Sequence, residues 1–210
     1  MPETKLVSNR PTGKTKKLAR EFYERSTLQV AKEVLGKHLV FHHPKGKISA
    51  RIVEVEAYIG SNDPACHAAR GKTHRNSVMF GPGGHAYIYF IYGMYHCLNF
   101  VTEPETFPAA VLIRAAEPDE GLEIMQTNSP DKKLSALLSG PGKLCRAFGL
   151  SRDQSGLDLT KNTLYLERRE NGSIEIGKTT RVGIKDGADK LWRFYDKKSS
   201  AVSPLRKFRN

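Results

Sequence analysis

The stretch at residues 48–59, ISARIVEVEAYI, constrains the fold more than any other part of the chain. From Val53 onward apolar and polar side chains alternate, which is the period of a strand and not of a helix. Read this way, Val53, Val55, Ala57 and Ile59 lie on one face and Glu54, Glu56 and Tyr58 on the other. Residues 37–43 read as a partner strand, and Pro44-Lys45-Gly46 between the two runs supplies a turn, so the pair forms a hairpin. Two carboxylates and a tyrosine thereby share one side of a sheet. An ordinary antiparallel sheet leaves such a face in water. A carboxylate held on a rigid strand beside a tyrosine is also the geometry of a general base.

The flanking segments extend the same pattern. Ser26 to Gln29 has the form of a capping box, with Leu28, Ala31 and Leu35 at helical spacing behind it and Gly36 as the stop. Residues 85–100 read as an aromatic hairpin with Gly93 at its tip, and residues 109–115 as a strand carrying Arg114. Pro118 is placed to open a helix running to about Thr127, as a proline at the first helical position would. Further short helices are expected at 134–138 and 141–148, and short strands at 163–168, 173–176, 180–184 and 192–195. This mixed order predicts one α+β domain, a curved and largely antiparallel sheet with peripheral helices and a protruding aromatic β-hairpin. The body is expected over 18–196, between a basic arm at 1–17 and a basic tail at 197–210.

The formal net charge is +12, and residues 1–17 and 196–210 each carry five basic and one acidic side chain. Such an excess suits a polyanionic partner, because lysines and arginines that neutralise phosphates release condensed counterions. No apolar run is long enough for a membrane span, and the first residues lack the apolar stretch of a secretion signal. The three cysteines, Cys66, Cys97 and Cys145, are widely spaced and are expected as thiols. An intracellular protein with nucleic acid as its leading candidate partner is the expectation, with no membrane partner.

Four of the eight tyrosines, Tyr87, Tyr89, Tyr92 and Tyr95, crowd the aromatic hairpin. Their flat faces stack on bases while the hydroxyls keep polar partners, although aromatics are also ordinary strand residues. Alternation sets Tyr87 and Tyr89 on one face with His85, and Phe90 and Tyr92 on the other. Tyr92 beside Gly93 falls at the exposed end of the hairpin, where a wedge has more use than a core residue. Cys66-His67, His74, His85 and His96-Cys97 lack any metal-ligand spacing, so neither metal nor cofactor is expected. Gly140-Pro141-Gly142-Lys143 matches no nucleotide-binding fingerprint, but it precedes a helix whose first N–H groups, with Lys143, could hold a phosphate.

Taken together, RIVEVEAY at 51–58, Arg75-Asn76 with Met79-Phe80, Tyr87-Ile88-Tyr89, Tyr92-Gly93-Met94-Tyr95 and Asn99 resemble the alkyladenine (3-methyladenine) DNA glycosylase family. The resemblance continues through VLIRA at 111–115, Glu117-Pro118, Gly140-Pro141 with Lys143-Leu144-Cys145, and Arg181-Val182-Gly183. It implies that Glu56 is a general base activating a water held by Arg114 and the Val182 carbonyl. Tyr58, His67 and Tyr89 would sandwich a flipped base, Asn99 would disfavour guanine at the pocket wall, and Tyr92 would fill the gap in the duplex. Met94, Tyr95, Arg75 and Lys143 are expected to contact DNA. The implied activity is that of a monofunctional glycosylase, a monomer acting on damaged purines in double-stranded DNA. No lysine in the matched motifs is placed for a Schiff base, so no lyase activity is expected. The rival readings are a non-catalytic module that stacks single-stranded bases on the tyrosine hairpin, and a helix-hairpin-helix glycosylase suggested faintly by Leu138 to Gly142, against which the β-rich centre argues.

Overall fold

A computed structural model describes residues 16–130, 133–169 and 172–203. The two-residue strand β1 (Lys16–Lys17) leads into short helices α1 (Arg20–Tyr23) and α2 (Thr27–Val34). Strands β2 (His38–His43) and β3 (Gly46–Ile59) form the expected hairpin, with His43 opposite Gly46. Strands β4 (Ala86–Ile91) and β5 (Tyr95–Thr102) form the aromatic hairpin and β6 (Ala109–Glu120) follows. Helices α3 (Leu122–Asn128), α4 (Leu134–Leu137) and α5 (Pro141–Phe148) precede β7 (Leu164–Arg168), β8 (Ile176–Thr179) and β9 (Arg193–Asp196).

All nine strands join one sheet in the order β1-β7-β2-β3-β6-β5-β4, with β9 also pairing β3 and β8 pairing β9. Each pairing is antiparallel, which makes the fold α+β. β3 is the central strand. One of its edges pairs with β6 along most of its length, while the other pairs with β2 up to Arg51 and with β9 from Glu54. Period-2 alternation sorts the side chains between two faces. On one face Ile52, Val55 and Ala57 of β3, Ile88 of β4, Leu98 and Phe100 of β5, and Val111 and Ile113 of β6 meet Val30, Ala31, Met125, Leu144 and Phe148 of the helices. That is the main core. The opposite face carries the polar residues of β3 and a smaller apolar cluster of Cys66, Ala68, Met79, Tyr87, Val101 and Ala110.

Several local expectations yield to tertiary context. Val53 does not share a face with Val55 and Ala57 but packs with Ala115 and Ala201 on the other side. The β3–β6 register shifts on both sides of Glu54, so each strand absorbs an extra residue where β2 gives way to β9. Pro118 opens no helix. β6 continues through it to Glu120, tolerated because the register is irregular between Ser49 and Ala50, opposite the proline, and α3 starts only after Gly121. Residues 180–184 are loop rather than strand, and of 173–176 only Ile176 joins β8. Of the expected arm and tail, 1–15 and 204–210 lie outside the described residues, while Lys16 and Lys17 pair with β7 and residues 197–203 fold onto the sheet as far as Ser203.

The capping box at Ser26 is also not formed: Ser26 makes no side-chain cap bond. Its role passes to Glu103 from the β5–β6 loop, whose Oε1 accepts from the Thr27 N–H at 2.6 Å and the Thr27 hydroxyl at 2.8 Å. Substitution should separate the two. Glu103→Ala is expected to destabilise the protein by about 1 kcal/mol, while Ser26→Ala should stay within about 0.5 kcal/mol of wild type. Urea unfolding midpoints measure both, and a larger loss at Ser26 would contradict the assignment.

Candidate active site

On the face opposite the main core the sheet borders a cavity of about 1060 Å³. Tyr58 of β3, Leu112 and Arg114 of β6, Tyr87 and Tyr89 of β4, and Cys97 and Asn99 of β5 line it, because alternation turns all of them away from the main core. The Tyr92 turn, the start of α5 from Gly140 to Lys143, and residues 182–184 complete the walls.

Glu54 and Glu56 point to this side, and neither meets solvent: both are fully buried. Such a burial costs several kcal/mol per ion unless charge partners and hydrogen bonds compensate. Glu54 is saturated. Its Oε1 accepts from Arg114 Nε, Arg193 Nε and the Ser203 hydroxyl, each at 2.7 Å, and its Oε2 accepts from the Ser203 N–H at 2.6 Å. Burial alone would raise its carboxyl pKa, but the two guanidiniums and Ser203 outweigh that and hold it below the ordinary range.

Glu56 is differently placed. Its Oε1 accepts from the Val182 N–H at 2.7 Å and its Oε2 from the Tyr58 hydroxyl at 2.8 Å, while Arg114 Nη1 stands off at 3.4 Å. A carboxylate offers about four acceptor sites, so Glu56 keeps capacity for a water that Glu54 lacks. The loop that brings Val182 there is pinned by a buried ion pair in which Arg181 spans both oxygens of Asp63 at 2.5 and 2.7 Å and donates to the Ala57 carbonyl at 3.0 Å. The same guanidinium lies 4.7 Å from the centroid of the Tyr58 ring.

His67 and Tyr89 touch edge to face with centroids 4.4 Å apart, and His67 Nδ1 lies 2.9 Å from the Tyr87 hydroxyl. No planar guest fits between these two rings, so their shared surface forms one wall. The inner side of the His67 ring is packed even though its outer side is exposed. Burial, followed by the Arg75 charge, lowers its pKa to about 4, so the ring is neutral at pH 7. Burial raises the phenol of Tyr87 to about 12 and pushes Tyr58, Tyr89 and the Cys97 thiol upward as well, so these four groups present neutral surfaces to the cavity. Asn99 donates through Nδ2 to the carbonyls of Tyr87 and Cys97 at 3.0 and 3.2 Å, which fixes its amide in the wall.

The remaining predicted residues lie along or beside this cavity. Tyr92 is 79% exposed with φ of 55°, a left-handed conformation rare outside glycine. Since the turn breaks the alternation, Tyr92 borders the same cavity as Tyr87 and Tyr89 rather than facing away from them. Met94 is exposed beside it. Tyr95 packs so closely on α5 that a Cβ added at Gly142 would come within 2.6 Å of its ring. Lys143 lines the cavity, and Arg75 lies outside, 5.2 Å from the centroid of the Tyr89 ring. Among the described residues no group of three or more His, Cys, Asp or Glu is arranged to hold a metal, and the three cysteines are buried thiols. No helix there is long and apolar enough to cross a membrane. Arg193 and Ser203, which partner Glu54, and Asp63, which pairs with Arg181, carry no local sequence signal, whereas Arg181 lies in the Arg181-Val182-Gly183 motif.

The family model described as methylpurine-DNA glycosylase matches residues 21–200. A protein of Methanocella arvoryzae named as a candidate 3-methyladenine DNA glycosylase is 53% identical over 192 residues, covering 89% of this chain and 95% of that protein. One of Clostridium acetobutylicum with the same name is 48% identical over 204 residues, covering 91% and 99%. A third, of a Wolbachia species, is 51% identical over 177 residues, covering 84% and 95%.

The saturated environment of Glu54 has a measurable consequence. Glu54→Gln leaves two buried guanidiniums short of a charge and should cost about 3–5 kcal/mol. Because the folded pKa of Glu54 is depressed, its contribution is complete above the ordinary carboxylate pKa and is lost as pH falls toward the depressed value. Unfolding free energies across pH 3–7 should therefore fall in acid for wild type and flatten in Glu54→Gln. An unchanged acid slope would contradict a structural role for this carboxylate.

Proposed function

The chain belongs to the methylpurine-DNA glycosylase family, hydrolases of N-glycosyl bonds in DNA, and on that premise we propose that it flips a damaged purine from duplex DNA and hydrolyses its bond to deoxyribose. The observation that carries the mechanism is the contrast between the two buried carboxylates, Glu54 with its acceptor sites filled and Glu56 with room for a water. Glu56 takes a proton from that water, which Arg114 and the Val182 carbonyl orient. The oxygen bonds to C1′ as the glycosidic bond breaks, and the bonding pair leaves with the base. Water is the nucleophile, so the enzyme is monofunctional.

The flipped base lies against Tyr58 on one side and against the joined surface of His67 and Tyr89 on the other. These contacts offset the few kcal/mol of stacking that flipping loses. Asn99, its amide fixed in the wall, crowds the exocyclic amine of guanine. The substrates of this reading are alkylated and deaminated purines of the 3-methyladenine, 7-methylguanine, hypoxanthine and ethenoadenine type. Tyr92 enters the duplex gap beside Met94 and Tyr95, Arg75 and Lys143 contact the DNA, and the protein acts as a monomer. A module that only stacks single strands has no use for a carboxylate buried against Tyr58, Arg114 and Val182 of the cavity lining, so the site favours catalysis over binding alone.

Glu56→Gln keeps the side chain's size and its contact with the Val182 N–H but cannot accept a proton from water. Single-turnover base release should drop at least ~100-fold with lesion-duplex affinity nearly intact. Substantial residual turnover would move the base elsewhere.

Tyr92→Ala should slow excision strongly in duplex DNA and far less in single strands, which present little stacking to replace. Its thermal midpoint should change much less than for a core aromatic truncation, which costs ~3–5 kcal/mol. Equal losses on both substrates with a lowered midpoint would show Tyr92 to be structural.

A further inference from the structure

We propose that Ser203, from the segment that follows β9, is a positioning residue that sets the orientation of Arg114 toward Glu56. This rests on the function proposed above. Ser203 is 7% exposed and commits all its polar groups to the buried charges. Its N–H and hydroxyl donate to Glu54 at 2.6 and 2.7 Å, its carbonyl accepts from Arg193 Nη2 at 2.8 Å, and its Oγ accepts from Arg114 Nη2 at 3.3 Å. Arg114 is thereby held at two of its three nitrogens, Nε by Glu54 and Nη2 by Ser203. A guanidinium is planar, so fixing Nε and Nη2 also fixes Nη1. That nitrogen pairs with Glu56 Oε1 at 3.4 Å as an ion pair without a hydrogen bond, near enough to orient a water and leaving the carboxylate's acceptor site open.

Without the Ser203 hydroxyl, Arg114 is released at Nη2 and free to turn and close on Glu56, competing with the water. The backbone N–H and carbonyl of residue 203 keep their bonds to Glu54 and Arg193, so the fold survives. The segment after β9 therefore acts on the reaction through the guanidinium, without touching the reacting atoms.

The test compares Ser203→Ala and Ser203→Thr in the full chain, using single-turnover excision of hypoxanthine from duplex DNA, lesion-duplex affinity and melting temperature. The expected result is a loss in Ser203→Ala of about 10-fold in the excision step, since misplacing a group by 1 Å costs on the order of 100-fold. Affinity and melting temperature stay near wild type, and Ser203→Thr, which restores a hydroxyl, recovers most of the rate. Adding Ser203→Ala to Arg114→Lys should bring little further loss. An unchanged rate in Ser203→Ala, a full additional loss in the double variant, or a loss that tracks affinity or melting temperature would overturn the proposal. Should wild type itself release no base, the function reading fails, and a crystal structure of Ser203→Ala judges this proposal alone: an unchanged Arg114–Glu56 distance overturns it, a shortened one supports it.

Discussion

Two carboxylates and two guanidiniums are buried together where β3, β6 and β9 meet, and the rest of the site depends on keeping them balanced. Glu54 and Glu56 come from β3, Arg114 from β6 and Arg193 from β9, so the charges cancel only when three strands and the segment after β9 are all in place. A lone ion there costs several kcal/mol. The cluster therefore ties the register of the central sheet to the site. The paired shifts in β3 and β6 around Glu54 are the backbone adjustment that lets Arg114 reach both carboxylates.

Within this frame the two carboxylates have diverged by environment rather than by chemistry. Glu54 is surrounded by donors and serves the fold. Glu56, two residues along the same face, is held by one backbone N–H and one phenol. Asp63 and Arg181 place that backbone N–H and also back the Tyr58 ring, so one buried ion pair orients both partners of Glu56. The aromatic hairpin adds the far wall and ends in an exposed Tyr92 held in a left-handed backbone conformation, a small local strain at the tip of the hairpin.

What the sequence made legible was whatever depends on local period and turn chemistry. The face shared by Glu54, Glu56 and Tyr58, the tyrosine hairpin with Gly93 in its turn, and α5 beginning at Pro141 all follow from side-chain alternation or backbone preference. Pro118, Ser26 and Val53 failed for a common reason: a distant partner overrode the local signal. For Pro118 this was the irregular pairing with β3, for Ser26 the Glu103 carboxylate, and for Val53 the contact with Ala201. The same holds for the site. A strand face carrying two carboxylates did not reveal that both would be buried, nor which would be saturated, because Arg193 and Ser203 lie far along the chain.

Hydrolysis at Glu56 requires a damaged base to sit in the cavity with its sugar facing this carboxylate. The most direct measurement is a crystal structure of the Glu56→Gln variant bound to duplex DNA carrying one hypoxanthine. The expected result is the base out of the helix, against Tyr58 on one face and His67 and Tyr89 on the other, with its C1′ facing residue 56 and Tyr92 in the vacated stack. A hypoxanthine left stacked in the duplex, or one extruded elsewhere than this cavity, would contradict this mechanism.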